Sequence, residues 1–276
     1  MKKLREKMLQ EMQLRNYSPR TIEVYVGCIS SLSKYYNQSP DKISLDQVKS
    51  YLHYFITAKQ YSVSFVNQTI SAVKILHQDV LNKQWDTLSI KRPKREKRLP
   101  VILSKQEAKS IVSAPVNLKH QVILTLGYSA GLRISEVVNL KVEHIDSERM
   151  QIRVVGAKGK KDRNTILSKA ALELLRFYYK LYRPKLWLFE GAGPGINQYS
   201  VSSIRKVLER ARIKAEVNKA VTYHTLRHCF ATHLLEQGTS LQIIQYLLGH
   251  NHIRTTSIYL HVQHYSLDQL VSPIDE

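Results

Sequence analysis

The sequence predicts a mainly α-helical protein of two domains with one small β-hairpin, an α+β arrangement in its second half. Three observations predict it. Apolar residues recur at helical spacing through most of the 276 residues, and one stretch near residues 150–167 alternates as strands do. Between the halves lies Ser89 to Pro100, SIKRPKREKRLP, with six basic residues, one acid, two prolines and little to bury. Such a segment reads as an exposed linker, which gives domains at 1–88 and 101–276 with a basic linker at 89–100.

In the first domain, Leu4, Met8 and Leu14 sit near helical spacing. Ser18-Pro19 then supplies a cap residue and a first-turn proline ahead of Ile22, Tyr25 and Ile29. A third helix fits Leu45 to Ile56. A fourth fits Ser64 to Leu81, with Val66, Ile70, Val73 and Leu81 on one side. Four helices in under ninety residues make a small all-helical domain.

In the second domain, Ser104-Lys105-Gln106-Glu107 is a capping box, in which serine and glutamate reciprocally satisfy orphan amides at a helix start. A helix from Leu118 to Ala130 ends at Gly131, a good C-cap. Met150 to Val155 alternates as a strand, Gly156 to Lys160 supplies the turn, and Arg163 to Leu167 returns as its partner. Helices resume at Ser168 to Tyr182, Val201 to Ala215, His224 to Glu236 and Ser240 to Leu248.

Composition narrows the function classes. A chain that is 43% hydrophobic and 23% charged is an ordinary globular protein, not a disordered or collagen-like one. Its 42 Lys and Arg against 22 Asp and Glu give +20, which points to a polyanionic partner, nucleic acid or an acidic membrane surface. No stretch approaches the roughly eighteen apolar residues of a membrane span, and MKKLREKMLQ lacks the apolar run of a signal peptide. Cys28 and Cys229 are too isolated for a disulfide framework or a CxxC knuckle. A cytoplasmic protein that does not enter membranes is expected.

Cofactor motifs are weak. The turn Gly156-Ala157-Lys158-Gly159-Lys160-Lys161 lacks both the glycine spacing and the Ser or Thr of a nucleotide-binding phosphate loop. Seven of the eleven histidines lie between His224 and His264, yet that window holds a single acid, Glu236, and no HExxH pattern. Neither a metal nor another cofactor is expected. His228 and His233 read as packed, hydrogen-bonded structural residues.

Other residues gain meaning from their order. The chain presents Gly131-Leu132-Arg133-Ile134-Ser135-Glu136, then Lys158 in the hairpin, then His224-Thr225-Leu226-Arg227-His228, then Leu248-Gly249-His250, and nine residues later Tyr259. In this it resembles the tyrosine recombinases, the phage integrase family, of the simple two-domain Xer-like or integron-integrase-like type. The resemblance covers the whole chain and is most specific from Leu126 to Val262. It implies an N-terminal SAM-like core-binding domain and a C-terminal, mostly helical catalytic domain. It also implies a catalytic set of Arg133, Lys158, His224, Arg227, His250 and the nucleophile Tyr259. Tyr265, six residues further on, falls outside the motif. Ala157 stands where many relatives have glycine, which leaves the hairpin register open towards Lys160 or Lys161.

The chemistry agrees with these residue types. A phosphodiester under attack gains negative charge on its non-bridging oxygens, and planar guanidinium forks match that geometry, which suits Arg133 and Arg227. A tyrosine with pKa about 10 is almost wholly protonated at neutral pH, so it needs cations and a proton acceptor nearby. His224 is the expected acceptor, His250 the expected donor to the phosphate, and Lys158 the expected acid for the departing 5′ oxygen. Glu136 supports the arginine motif by the family pattern; taken alone it is equally a helix-surface charge.

The resemblance implies double-stranded DNA recombination sites as substrate, a homotetramer in synapsis joined through the segment after Tyr259, and room for accessory proteins. Lys91, Arg92, Lys94, Arg95, Lys97 and Arg98 of the linker are expected to cross the DNA backbone, with Arg15, Arg20, Lys49 and Lys74 adding contacts from the helices. The leading reading is a site-specific recombinase that cleaves and rejoins DNA through a 3′-phosphotyrosyl intermediate. The alternatives are a relaxing enzyme of the type IB topoisomerase kind and a catalytically inactive DNA-binding regulator.

Overall fold

The structure is a computed structural model and describes residues 2–84, 90–93, 99–156, 162–193 and 195–261. Lys158, Lys160, Lys161, Lys94, Arg95, Lys97, Arg98 and the segment after His261 lie outside the described residues. The chain divides into two compact units, Met1–Lys97 and Arg98–Glu276.

The first unit holds the four expected helices: α1 (Lys2–Leu14), α2 (Pro19–Tyr36), α3 (Leu45–Thr57) and α4 (Val63–Ile75). Each of the last three starts on a serine whose hydroxyl accepts an orphan amide: Ser18 from Thr21, Ser44 from Gln47, Ser62 from Phe65. Two expectations needed correction. Leu14 is 74% exposed, and α1 instead buries Met8 and Met12, the true i, i+4 pair. The fourth helix does not run unbroken to Leu81, because Leu76–Val80 winds as a π-helix, with the Leu81 amide donating to the Leu76 carbonyl at 3.0 Å. The core of this unit is formed by Met8, Met12, Leu32, Val48, Tyr51, Val66, Ile70 and Val73, joined by Ile90.

The second unit contains α5 (Lys105–Ser113), α6 (Leu118–Ser129), α7 (Ile134–Val138), α8 (Lys169–Tyr182), α9 (Val201–Lys214), α10 (Tyr223–Glu236), α11 (Leu241–Leu248) and α12 (Ile253–Thr256). The expected capping box of α5 is present, Ser104 Oγ accepting from Glu107 and Glu107 accepting from the Ser104 amide. The hairpin is there too, but it is part of a three-stranded antiparallel sheet in the order β1 (Ile145–Asp146), β2 (Gln151–Val154), β3 (Arg163–Ile166). Two residues of β1 and five of α7 are too few to leave a periodic signal in the sequence. Pairing sets Val154 opposite Arg163 and Ile152 opposite Thr165, so Arg163 and Thr165 share the inward face. Thr165 Oγ1 donates to the Ala130 carbonyl at 2.9 Å, tying the sheet to the end of α6. Helices α6 and α10 bury Ile123, Leu124, Leu126, Leu226 and Cys229 in the main core. Among the described residues no helix is long and apolar enough to cross a membrane.

Candidate active site

The site begins at the turn between α6 and α7. Helix α6 runs to Ser129 with Ala130 as its last half-helical residue, and Gly131 follows as the expected left-handed cap at φ +61°, a backbone conformation that L-residues pay for sterically. Space is also denied there, since a Cβ on Gly131 would lie 2.4 Å from the Phe230 ring of α10. This close approach of turn to helix lets the Gly131 carbonyl accept from Arg227 Nη1 at 2.6 Å.

Arg133 stands two residues on, as the extended residue before α7. Its amide donates to Glu136 Oε2 at 2.8 Å and its Nη1 to Glu136 Oε1 at 2.7 Å. The same carboxylate accepts both Nη atoms of Arg163 at 2.8 Å, and Arg227 Nη1 stands 3.7 Å from Oε2. Burial alone would raise the Glu136 pKa. The hydrogen bonds and charge of Arg163, the Arg133 amide and the Arg227 charge prevail and hold it at about 2. Three guanidinium groups around one carboxylate leave two positive charges uncompensated, the electrostatics of an anion site. Glu136 is therefore a buried junction, and the surface-charge alternative does not apply to it.

Arg227 is fully buried on α10. Its Nη2 donates to the Leu248 carbonyl and lies 3.3 Å from His250 Nε2, while its Nε has no hydrogen-bond partner among the described residues. Burial and then Arg133 lower its pKa from 12.5 to about 9, so it remains charged at neutral pH. His250 follows Gly249, whose φ of +62° ends α11 and where a Cβ would meet Arg163 Cδ at 2.7 Å. The other imidazole nitrogen, Nδ1, is 2.9 Å from Thr256 Oγ1. Arg227 can only donate, so Nε2 accepts from it and Nδ1 carries the ring hydrogen towards Thr256. Burial, followed by the charges of Arg227 and Arg133, lowers the His250 pKa to about 3, which keeps the ring neutral.

Tyr259 lies in the 3-10 turn Ser257–His261, 1% exposed, packed with Phe230, Ile244, Leu247 and Leu248. Burial pushes its pKa up to about 12, against the opposing charges of Arg227 and Arg133. Its hydroxyl is 3.1 Å from Nδ1 of His228. His224, the expected acceptor, is exposed in the first turn of α10 and sets its ring edge-on to His228, centroids 4.7 Å apart. Partial desolvation of its ring against α10, then the charges of Arg227 and Arg133, lower its pKa as well.

The structure thus brings Arg133, Arg227, Glu136 and His250 into one bonded cluster, with Tyr259 and His224 joined to it through α10. Flanking the hairpin turn, Asp162 accepts from the Gly156 amide at 3.0 Å and from Arg153 at 3.1 Å. His233 is the structural residue expected of it, bonded to Tyr128 Oη and the Leu103 carbonyl. His228 is hydrogen-bonded too, but to the candidate nucleophile. Sequence reading missed this and missed Arg163 and Thr256. The one available signal for Arg163 was a charge on the inward face of an alternating strand.

In the linker, Lys91 is exposed, whereas Arg92 folds back onto α4, donating to the Asn67 carbonyl at 3.0 Å and to Ser71 Oγ at 3.0 Å. Of the four helical cations, Arg15, Arg20 and Lys49 each pair with an acid, Asp79, Glu23 and Asp46 respectively, and Lys74 is half-buried.

Guanidinium groups gathered on one buried carboxylate, with a buried tyrosine packed against α10, make a cationic centre suited to an anion such as a phosphate. Residues 101–265 match the phage integrase family and residues 4–87 match the N-terminal SAM-like domain of phage integrases, and the chain belongs to that family. It is a tyrosine recombinase, of the enzyme class that cleaves and rejoins DNA. It is 37% identical over 260 residues to a Sinorhizobium fredii protein bearing an integrase/recombinase name, covering 94% of this chain and 84% of that one. It is 35% identical over 261 residues to the tyrosine recombinase XerA of Pyrococcus horikoshii, covering 93% and 88%. A crystal structure of XerA recombinase aligns with TM-score 0.58 at 27% identity over 98% of this chain and 99% of the other. A lambda integrase dimer bound to a core site shares the fold, with TM-score 0.75 at 16% identity over 94% of each chain. These names are those of recombinases and integrases, and none points to a relaxing enzyme or an inactive regulator.

Proposed function

We propose that the chain is a site-specific DNA recombinase in which Tyr259 becomes the temporary partner of the broken strand. Tyr259 Oη gives up its proton to a neighbouring histidine and attacks the phosphorus of a phosphodiester held by Arg133 and Arg227, the bond to the 5′ oxygen breaks, and a 3′-phosphotyrosyl link remains. Lys158 protonates the departing oxygen, and reversal of the step rejoins the strand without an external energy source. The observation that carries the reading is the meeting of Arg133 and Arg227 on the single carboxylate of Glu136, with the Nε of Arg227, unpartnered among the described residues, as a spare donor. His250 donates to the same phosphate once its ring hydrogen moves to Nε2, with the Thr256 hydroxyl turning to donate to Nδ1.

The wider assembly follows the same reading. Residues 1–88 act as the core-binding domain, 89–100 as the linker along the DNA backbone, and 101–276 as the catalytic domain, in a cytoplasmic enzyme. A lambda integrase tetramer is known bound to a Holliday junction, and it supports a homotetramer here, with or without accessory proteins. Mapping covalent protein–DNA attachment sites across the host genome tests the proposal. A short recurrent site is expected, and scattered attachment without sequence preference would refute site specificity.

A further inference from the structure

We propose that His228, rather than His224, takes the phenol proton of Tyr259 when the strand is cut. The inference rests on the reading of Tyr259 as nucleophile. His228 Nδ1 is 3.1 Å from the Tyr259 hydroxyl, the ring centroids are 5.7 Å apart, and no other hydrogen bond to that hydroxyl occurs among the described residues. His224 packs edge-on against His228, one step further from that bond.

The direction of the bond follows from chemistry. A buried hydroxyl places its hydrogen on an available acceptor, and the acceptor bonded to it among the described residues is Nδ1. The charges of Arg227 and Arg133 favour the phenolate, so they act on the oxygen and not on the hydrogen. Tyr259 therefore donates to Nδ1, and the ring hydrogen of His228 sits on Nε2.

The charged and titratable groups acting on this pair are His224 and Arg227 of α10, Arg133 from the turn before α7, Cys229 beside it in the core, and Tyr259 itself. Burial, then His224 and Arg227, hold the His228 pKa at about 4, which keeps the ring in its accepting form at neutral pH. A phosphodiester seated on the arginines adds negative charge beside Arg227 and raises the basicity of His228 when the acceptor is needed. As the Tyr259 Oη–P bond forms and the P–O5′ bond breaks, the phenol proton passes to His228 Nδ1 and the departing oxygen receives the general-acid proton. On rejoining, His228 returns its proton to Tyr259.

Two measurements test this. In the free protein with 15N-labelled histidine at pH 7, His228 should be the neutral Nε2–H tautomer; an Nδ1–H tautomer or an imidazolium would overturn the proposal. On a nicked suicide duplex carrying the mapped attachment sequence, adduct formation at saturating DNA should slow by about 10²-fold or more in His228→Ala and be partly restored by added imidazole. His228→Gln supplies an accepting oxygen but no base, so it should stay comparably slow while its melting temperature and DNA affinity match the parent. Restoration by Gln to near the parent rate would reduce His228 to a positioning residue and defeat the proposal. A normal rate in both variants, with loss in His224→Ala, would return the role to His224. An adduct that persists in Tyr259→Phe would remove the underlying assignment instead, and that variant tells the two failures apart.

Discussion

Arg163 and Glu136 form a buried fork-to-fork ion pair, Nη1 to Oε1 and Nη2 to Oε2 both at 2.8 Å, and Arg163 Nε reaches the Leu247 carbonyl at 2.8 Å. One side chain therefore ties β3, the arginine turn and the end of α11 together. Removing one partner of a buried pair leaves an uncompensated charge and costs about 3–5 kcal/mol. Arg163→Ala should lose about that much stability by denaturant unfolding. Arg163→Lys should recover only part of it, because an ammonium cannot span both carboxylate oxygens. Equal stability of parent and Arg163→Ala would contradict this junction.

Acid should weaken the fold in two stages. His228 and His250 titrate near 6.5 when unfolded and at about 4 and about 3 when folded, so the unfolded chain binds more protons as pH falls below 6.5. Their contribution is complete above pH 6.5 and is lost on acidification towards those folded values. Glu136, depressed from 4.5 to about 2, adds a second loss between those two pH values. Melting temperature should decline from pH 6.5 downward, more shallowly in His250→Asn. A flat profile from pH 6.5 to 4.5 in the parent would refute the first stage.

Gly131→Ala combines a strained φ with a Cβ 2.4 Å from Phe230. Left-handed backbone and overpacking together predict a loss of about 2–5 kcal/mol. Calorimetry decides it, and Gly131→Ala with Phe230→Leu should recover part of the loss by opening space.

Lys91 is exposed and Arg92 is anchored to α4, so the two should respond differently. Lys91→Ala should weaken DNA binding uniformly across sequences and reduce the salt slope by about 0.9. Arg92→Ala should also lower the melting temperature of the N-terminal unit. Titrations at several salt concentrations measure the slopes, and an unchanged slope for Lys91→Ala would remove that residue from the DNA path.

Elements with long apolar periodicity or explicit caps were legible in the sequence: α2 from Ser18-Pro19, α5 from its capping box, and the β2–β3 hairpin from its alternation and turn. Illegible were α7 and β1, whose few residues derive their conformation from Glu136 and from pairing with β2. The site residues stood out only as an ordered set, since Arg133 and Arg227 are far apart in the chain and meet at Glu136, while His250 joins them through Arg227. Arg163 and His228 were hidden because their partners lie 27 and 31 residues away, and no local pattern encodes such a contact.

Tyr259 carrying the broken strand is the step on which recombination by this chain turns. A suicide duplex nicked beside the cleavage position, followed by proteolysis and mass spectrometry, should yield a 3′-phosphotyrosyl peptide containing Tyr259 and no adduct from Tyr259→Phe. A phosphopeptide centred on another tyrosine, or tight binding with no adduct from the parent protein, would contradict it.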